Sequence, residues 1–328
     1  MVLILSNKDL QKILEMSDVI RVVEMAFKEM GLGNVQLPLR AVILLSEYNG
    51  WMGVMPSYVK GMNALATKVV TLYPNNPINL NLPTIMATII LNDPKSGAVL
   101  SIMDGTFITA MRTGAASGVA AKYLAREDSE VLGIFGAGIQ ARTQLMAICE
   151  VRDIKKVYIY DIIKEKADKF AEEISKKFGI KVKSVSNPKE AVKSCDIIIT
   201  ATTSTTPVFK GEWLQLGTHI TSIGVSTQKD ARELDTLTIV KSKVIVDSKE
   251  AALQEVGDIK IPILKGVINE NHIYAELGEI IAGKKKGREN RDEITLFKSC
   301  GLAIQDAVTA YLAYEKAKSA GIGIEIEL

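Results

Sequence analysis

Histidine and cysteine are almost absent from this chain. Two histidines, His219 and His272, and three cysteines, Cys149, Cys195 and Cys300, are spread through 328 residues, and none of them forms a metal-ligand spacing. No metal is expected. An odd number of widely separated cysteines fits free thiols in a reducing compartment better than a disulfide framework. A charge excess is lacking too. Forty basic against 38 acidic side chains leave a formal +2, so no global field favours nucleic acid or an anionic membrane. No apolar run approaches the length of a membrane span, and the stretch from Met1 to Ser6 has no basic region ahead of its short apolar run. A Gly-x-Ser-x-Gly elbow, a Walker loop and a paired-carboxylate motif are all missing. These absences point to a soluble, cytoplasmic protein acting on small molecules, with no nucleic-acid or membrane partner.

What is present centres on Gly136-Ala137-Gly138-Ile139-Gln140-Ala141. The strand-like run Val131-Leu132-Gly133-Ile134-Phe135 leads into it and a helical pattern leads out, the context that makes a dinucleotide fingerprint. Gly136 permits the tight turn, Gly138 lets a pyrophosphate approach the backbone, and Ala141 allows close packing of helix on strand. The free N–H groups of the helix start, at Ile139 and Gln140, would face the phosphates. A second apolar strand, Val157-Tyr158-Ile159-Tyr160, ends in Asp161, whose carboxylate would accept the ribose hydroxyls of NAD(H) and repel the 2′-phosphate of NADP(H). Lys164 and Lys166 are close enough in sequence to soften that preference, so NADP(H) remains open as an alternative cofactor.

Length and a hydrophobic content of 47% allow two moderate cores. The first region opens with a helix over 17–30, with Ser17 as N-cap and Gly31 as its stop. Strands over 39–45, 51–55, 63–72, 84–91 and 98–103 follow, with turn-forming connections that favour an antiparallel or mixed sheet. An Ala/Gly/Ser-rich helix over 106–123 then leads to the charged boundary at Arg126 to Glu130. Beyond it strands at 131–135, 157–160, 181–185, 196–201, 219–223 and 243–246 alternate with helices at 139–150, 164–178 and 188–194, a pattern that implies a parallel, doubly wound α/β sheet. An amphipathic helix over 301–319 should return to the first region. The expected organisation is a substrate and dimerisation domain over 1–125, a Rossmann domain over 126–300, and a returning C-terminal segment over 301–328. The basic run from Lys284 to Arg288 reads as a solvated loop.

Two charges stand out by their isolation. Lys68 is the only charged residue from Gly61 to Asn92, and on a strand it shares a face with Ala66 and Val70. Desolvation should lower its pKa and make it an acid or base near neutral pH; the alternative is a lysine snorkelling from a strand end. Arg112 is the only charge between Asp104 and Lys122. A buried guanidinium needs either an internal carboxylate or a bound anion, and the anion is favoured here. Arg40, between Pro38 and Ile43, could join them or sit on a strand surface. Two arginines and a lysine would clamp a carboxylate beside a nicotinamide. His219 opens an apolar strand and reads as a residue satisfying a backbone partner.

The residues resemble the ornithine cyclodeaminase/mu-crystallin family, which includes archaeal-type alanine dehydrogenases and ketimine reductases. The likeness runs through Lys68-Val-Val-Thr…Pro74-x-Asn76-Pro77…Leu82-Pro83-Thr84, Met111-Arg112-Thr113-Gly-Ala-Ala-Ser117, and the glycine fingerprint. It continues through Asp247-Ser248-x-Glu250-Ala251 and Thr295-x-Phe297-x-Ser299-x-Gly301-x-Ala303-x-x-Asp306. The resemblance implies carboxylate binding and catalysis by Arg40, Lys68 and Arg112, with Met55 and Ser226 as further substrate contacts. Thr113, Thr202 and Ser204 join Gly136, Gly138, Ile139, Gln140 and Asp161 as expected cofactor contacts. It also implies a homodimer through the substrate-domain sheets.

Two departures bear on the substrate. Cyclodeaminases of this kind carry a glutamate for the distal amine of ornithine two residues before the Met-Pro pair, where this chain has Gly53 before Met55-Pro56. An acidic residue two positions past the glycine that corresponds to Gly224 is replaced by Ser226, although Asp230 lies further along a loop one residue longer. A reductase acting on a preformed C=N bond needs neither acid. The expected activity is therefore NAD(P)H-dependent reduction of small cyclic imino acids, with Δ1-pyrroline-2-carboxylate giving L-proline. Alanine dehydrogenase, ornithine cyclodeaminase and a mu-crystallin-like binding protein are the rivals.

Overall fold

The computed structural model of the chain describes residues 1–224 and 230–328. In chain order its main elements are β1 (Val2–Leu5), α1 (Asn7–Ile13), α2 (Met16–Gly31), β2 (Val35–Gln36), β3 (Ala41–Leu45), β4 (Gly50–Val59), β5 (Ala64–Leu72), α3 (Asn76–Asn79), β6 (Ile85–Asn92), β7 (Val99–Asp104) and α4 (Gly105–Leu124). There follow β8 (Val131–Phe135), α5 (Ile139–Val151), β9 (Lys156–Tyr160), α6 (Lys164–Phe178), β10 (Lys181–Ser184), β11 (Ile197–Thr200), β12 (His219–Ser222), α7 (Thr236–Lys241), β13 (Lys243–Val246), α8 (Lys249–Glu255) and α9 (Gly257–Leu264). The chain closes with β14 (Ile273–Glu276), α10 (Leu277–Ile281), β15 (Thr295–Lys298), α11 (Ala303–Ala320) and β16 (Ile324–Ile326). Two compact units result, Met1–Ala116 with Leu302–Leu328, and Ser117–Gly301. The division falls inside α4 rather than after residue 125, because the small-residue helix continues unbroken past it.

The first unit is built on a mixed sheet in the order β16-β1-β7-β6-β5-β4-β2, with β3 paired to β4. Only β1 with β7 runs parallel; the remaining pairs are antiparallel. Strand β1 comes from the six opening residues, which the sequence offers only as a short apolar run. Helix α11 packs on β4, β5 and β6, with α1 and α2 against it. It is not amphipathic over its first half, where every residue from Ala303 to Ala310 is buried. Helix α2 starts one residue earlier than expected: Glu15 is its N-cap, without a side-chain cap bond, and Ser17 lies inside the first turn.

The second unit is a parallel, doubly wound sheet in the order β10-β9-β8-β11-β12-β15-β13-β14, with apolar cores on both faces of its central strands. Alternation of strands and helices is enough to imply this Rossmann-type fold. The helix expected over 188–194 is only a single 3-10 turn, Pro188–Ala191, whose Asn187 cap accepts from the Lys189 N–H. Helices α7 to α10 escape periodicity because each has eight residues or fewer and α9 contains Pro262. Among the described residues no helix is long and apolar enough to cross a membrane.

Two arginines of this unit act as internal staples. Arg288, expected in a solvated loop, is instead partly buried and donates to the carbonyls of Leu124 (2.7 Å), Glu293 (2.6 Å) and Gly217 (3.2 Å) and to Thr295 Oγ1 (3.0 Å). Burial pulls its pKa down to about 10. Arg152 donates to the carbonyls of Ala121 (2.8 Å), Ala125 (3.0 Å) and Arg126 (2.8 Å), satisfying acceptors left over at the end of α4. Removing a charged donor from several buried carbonyls costs about 2–4 kcal/mol. Arg152→Ala should lower the unfolding free energy by that amount in a denaturant titration. Arg152→Lys should recover less than half, since one ammonium cannot span the carbonyls that a planar guanidinium reaches.

Candidate active site

In the first unit, the pleat of β5 places Lys68 on the buried face with Ala66 and Val70, leaving the residue 2% exposed. Its ladder neighbours are Met55 on β4 and Ile89 on β6, both apolar and buried. Lys68 Nζ donates to Asp306 Oδ2 at 2.7 Å and lies 3.5 Å from Thr109 Oγ1. Arg112 donates from Nε to Asp306 Oδ1 at 2.9 Å and from Nη1 to Gln305 Oε1 at 2.8 Å. One carboxylate thus bridges the two isolated cations. Within the fold Arg112 pairs with an internal carboxylate, the other of the two expected alternatives, and Lys68 does not snorkel.

The charges nevertheless remain unequal. Burial pulls the Lys68 pKa down, the Arg112 guanidinium adds to this, Asp306 opposes it and Arg40 lowers it again, with a net value of about 7. Two buried cations share one carboxylate, so a ligand carboxylate would improve their local balance. Arg40 precedes β3 rather than lying within it, yet it is near enough for its charge to act on Lys68. Thr113 is buried and its hydroxyl donates back to the Thr109 carbonyl at 2.7 Å. Ser226 falls among residues 225–229, outside the described residues.

In the second unit the strand order reverses between β8 and β11, and the loops leaving these strands meet. Gly136 has φ +93°, and a Cβ there would fall 2.6 Å from the Ala201 carbonyl and 3.1 Å from Thr202 Cγ2. Gly138 caps α5 without a side-chain cap bond, and a Cβ there would meet nothing within 4 Å. That opening, beside unsatisfied helix N–H groups, fits a pyrophosphate. Ile139, the first residue of α5, is 63% exposed. Gln140 Oε1 is buried without a partner, a polar atom that a ligand donor would satisfy.

Asp161, expected at the ribose, carries a structural duty in the fold. Oδ2 accepts from the Ala137 N–H at 2.8 Å and Oδ1 from the Ile163 N–H at 2.9 Å, which pins the glycine turn to the end of β9. The next residue, Ile162, is 89% exposed and apolar, and Lys164 is engaged by Asp168 and by Ser184 Oγ at 2.9 Å. Neither position offers a ready cation for a 2′-phosphate.

Thr202 and Ser204 are held by a residue that sequence reasoning missed. Glu233, 2% exposed, accepts at 2.7 Å from the Thr202 N–H, from Thr202 Oγ1 and from Thr200 Oγ1, and at 2.8 Å from the Gly224 N–H. Ser204 N–H in turn donates to Thr202 Oγ1 at 3.1 Å. Lys298 bridges Ser222 Oγ (3.0 Å) and Asp258 (3.2 Å); burial pulls its pKa down, but Asp258 and Glu233 outweigh that and hold the ammonium above its ordinary range. Asp306 was also missed as a site residue, although its isolation between Lys298 and Glu315 matches that of Lys68. Glu233 sits in the charged run Arg232-Glu233-Leu234-Asp235 and carries no such mark.

His219 is fully buried between Thr295 Oγ1 (3.0 Å) and Thr221 Oγ1 (3.1 Å). Besides these hydroxyls it has the expected backbone partner, at Thr295, and burial keeps its pKa well below the usual value. Burial likewise pushes the Cys195 thiol up to about 12 and Cys149 up to about 11. Among the described residues no group of three His, Cys, Asp or Glu could hold a metal ion.

Residues 2–321 match the ornithine cyclodeaminase/mu-crystallin family. The Δ1-pyrroline-2-carboxylate reductase of Thermococcus litoralis, solved in complex with NADH and L-proline, is similar with a TM-score of 0.97 and 58% identity, over 99% of this chain and 100% of that one. An archaeal alanine dehydrogenase dimer with bound NAD reaches a TM-score of 0.93 at 40% identity, over 100% of this chain and 99% of that one. The Δ1-pyrroline-2-carboxylate reductase of Bacillus cereus is 42% identical over 326 residues, 99% of each chain. The chain belongs to the ornithine cyclodeaminase/mu-crystallin family.

Proposed function

We propose that the protein is an NADH-dependent reductase of small cyclic imino acids that converts Δ1-pyrroline-2-carboxylate to L-proline. The observation that carries this reading is the pair of buried cations, Lys68 and Arg112, that share the carboxylate of Asp306, with the charge of Arg40 also acting on Lys68. The similarity to two enzymes named for this reaction supports it. NADH, when bound, supplies the hydride that C2 of the imine accepts. Arg112 and Arg40 hold the substrate carboxylate, and the Lys68 ammonium gives the ring nitrogen its proton, so that C=N becomes CH–NH. Met55 lines the same face, with Ser226 as a further substrate contact. For the cofactor, the Gly136 to Gln140 turn takes the pyrophosphate and Asp161 the ribose, while Thr113, Thr202 and Ser204 complete the contacts.

A homodimer is part of the proposal. Val42, Ile43 and Leu44 of β3 are 47%, 59% and 73% exposed, an apolar strand that asks for a cover, and the similar alanine dehydrogenase is a dimer.

The deciding experiment follows nicotinamide absorbance with Δ1-pyrroline-2-carboxylate, pyruvate plus ammonia, and ornithine, each with NADH and NADPH. Pyrroline-2-carboxylate should exceed ornithine in kcat/KM by about two orders of magnitude, with NADH used at least as well as NADPH. Efficient ornithine deamination, or alanine formation that outruns imine reduction, would replace the reading with one of its rivals.

Lys68→Ala and Arg112→Ala should each lower kcat/KM by roughly 30- to 1000-fold while NADH binding, read by fluorescence titration, stays near normal. The pH profile has a defined sign. Lys68 must carry its proton to act as an acid, so imine reduction should fall as pH rises through about 7, and proline oxidation should rise over the same range. Asp306 supports the charged form of Lys68; Asp306→Asn should therefore move that limb to lower pH as well as reduce kcat.

A further inference from the structure

We propose that Trp51 determines which imino acid the Lys68 site accepts, its indole closing the site to a distal amine and favouring a five-membered over a six-membered ring. The inference rests on the imino-acid reductase reading and specifies its substrate. Along β4, alternation puts Trp51, Gly53 and Met55 on the face that also carries Lys68, and the ladder pairs them with Leu72, Val70 and Lys68 in turn. Gly53 therefore lies one rung from Lys68. A Cβ at Gly53 would fall 2.6 Å from Trp51 Cζ3 and 3.4 Å from both Cε3 and Cη2. The indole leans along the strand toward Lys68 and fills the space that a side chain at Gly53 would need.

Helix α11 leads to the same place. Met55, Val70 and Ala303 form a buried apolar cluster against which Trp51 and Ala87 pack. Ala303 precedes Asp306 by one helical turn, so both lie on one face of α11. The apolar wall thus adjoins the cations from the strand side and their carboxylate from the helix side. A ligand whose carboxylate is held by the cations must lay its remaining carbons against this wall. Ring methylenes suit it, whereas a distal ammonium would lose its water and gain no partner. An added ring methylene must displace the indole.

The chain has two tryptophans, Trp51 and Trp213, which makes the site observable. With Trp213→Phe and NAD+ present throughout, titration of pyrrole-2-carboxylate, a planar unreactive analogue, should change the emission of Trp51 in step with the binding registered by calorimetry. In the otherwise unaltered enzyme, Trp51→Leu should raise kcat/KM for Δ1-piperideine-2-carboxylate relative to Δ1-pyrroline-2-carboxylate by about fivefold or more, the scale of one methylene in an apolar pocket. A smaller change in a folded Trp51→Leu enzyme overturns the inference. If that variant does not fold, unmoved emission alongside calorimetric binding overturns it instead. Absence of any imine turnover by the unaltered enzyme removes the functional reading first, and the inference with it.

Discussion

The carboxylate of Asp306 holds together the chemistry of the first unit. It lies on α11, almost two hundred positions from Arg112 in sequence, and accepts from Arg112 Nε at 2.9 Å and from Lys68 Nζ at 2.7 Å. Without it, two cations would be buried side by side with no compensation, a state that proteins do not sustain. With it, both are anchored on one carboxylate, and Arg40 is near enough for its charge to act on Lys68. The complete burial of Ala303 to Ala310 follows from the same demand, since the carboxylate must be carried into the middle of the sheet's covered face.

The second unit solves a different problem with the same kind of group. Loops at the carboxyl ends of parallel strands expose backbone N–H groups that need acceptors if the loops are to keep one shape. Asp161 accepts from Ala137 and Ile163, Glu233 from Thr202 and Gly224, and Asp247 from Cys300 and Gly301, the last two at 2.8 Å. Each carboxylate fixes a loop without occupying the opening beside Gly138. Gly224 shows how tight this arrangement is, for a Cβ there would fall 2.1 Å from Glu233 Cδ. Fixed backbone dipoles of this sort can receive a dinucleotide with little reorganisation.

Legibility in the sequence followed the range of each interaction. The glycine turn with its strand, helix and Asp161 lies within about thirty residues, where spacing alone specifies geometry. Lys68 and Arg112 were marked by isolation, since a single charge in an apolar stretch must be either buried with a purpose or mispredicted. Asp306 bore that mark as well, but pairing it with them required knowing that α11 lies over β5. Glu233 and Lys298 gave no local sign, for their environment is assembled from strands and loops far apart in the chain. Arg288 was misread for the same reason: a basic run is solvated by default, and only the fold brings the carbonyls of Gly217 and Leu124 to it.

By itself the sequence determined the class of the fold, the place of the dinucleotide turn and the identity of the cations, because each depends on periodicity, composition or short spacing. The tertiary structure alone decided that Arg112 is paired internally, that Asp306 bridges it to Lys68, and that an indole lies over Gly53. These depend on which strands become neighbours, in what register, and on which helix covers them. Such choices are settled by the packing of the whole core and leave no trace in any single stretch of chain.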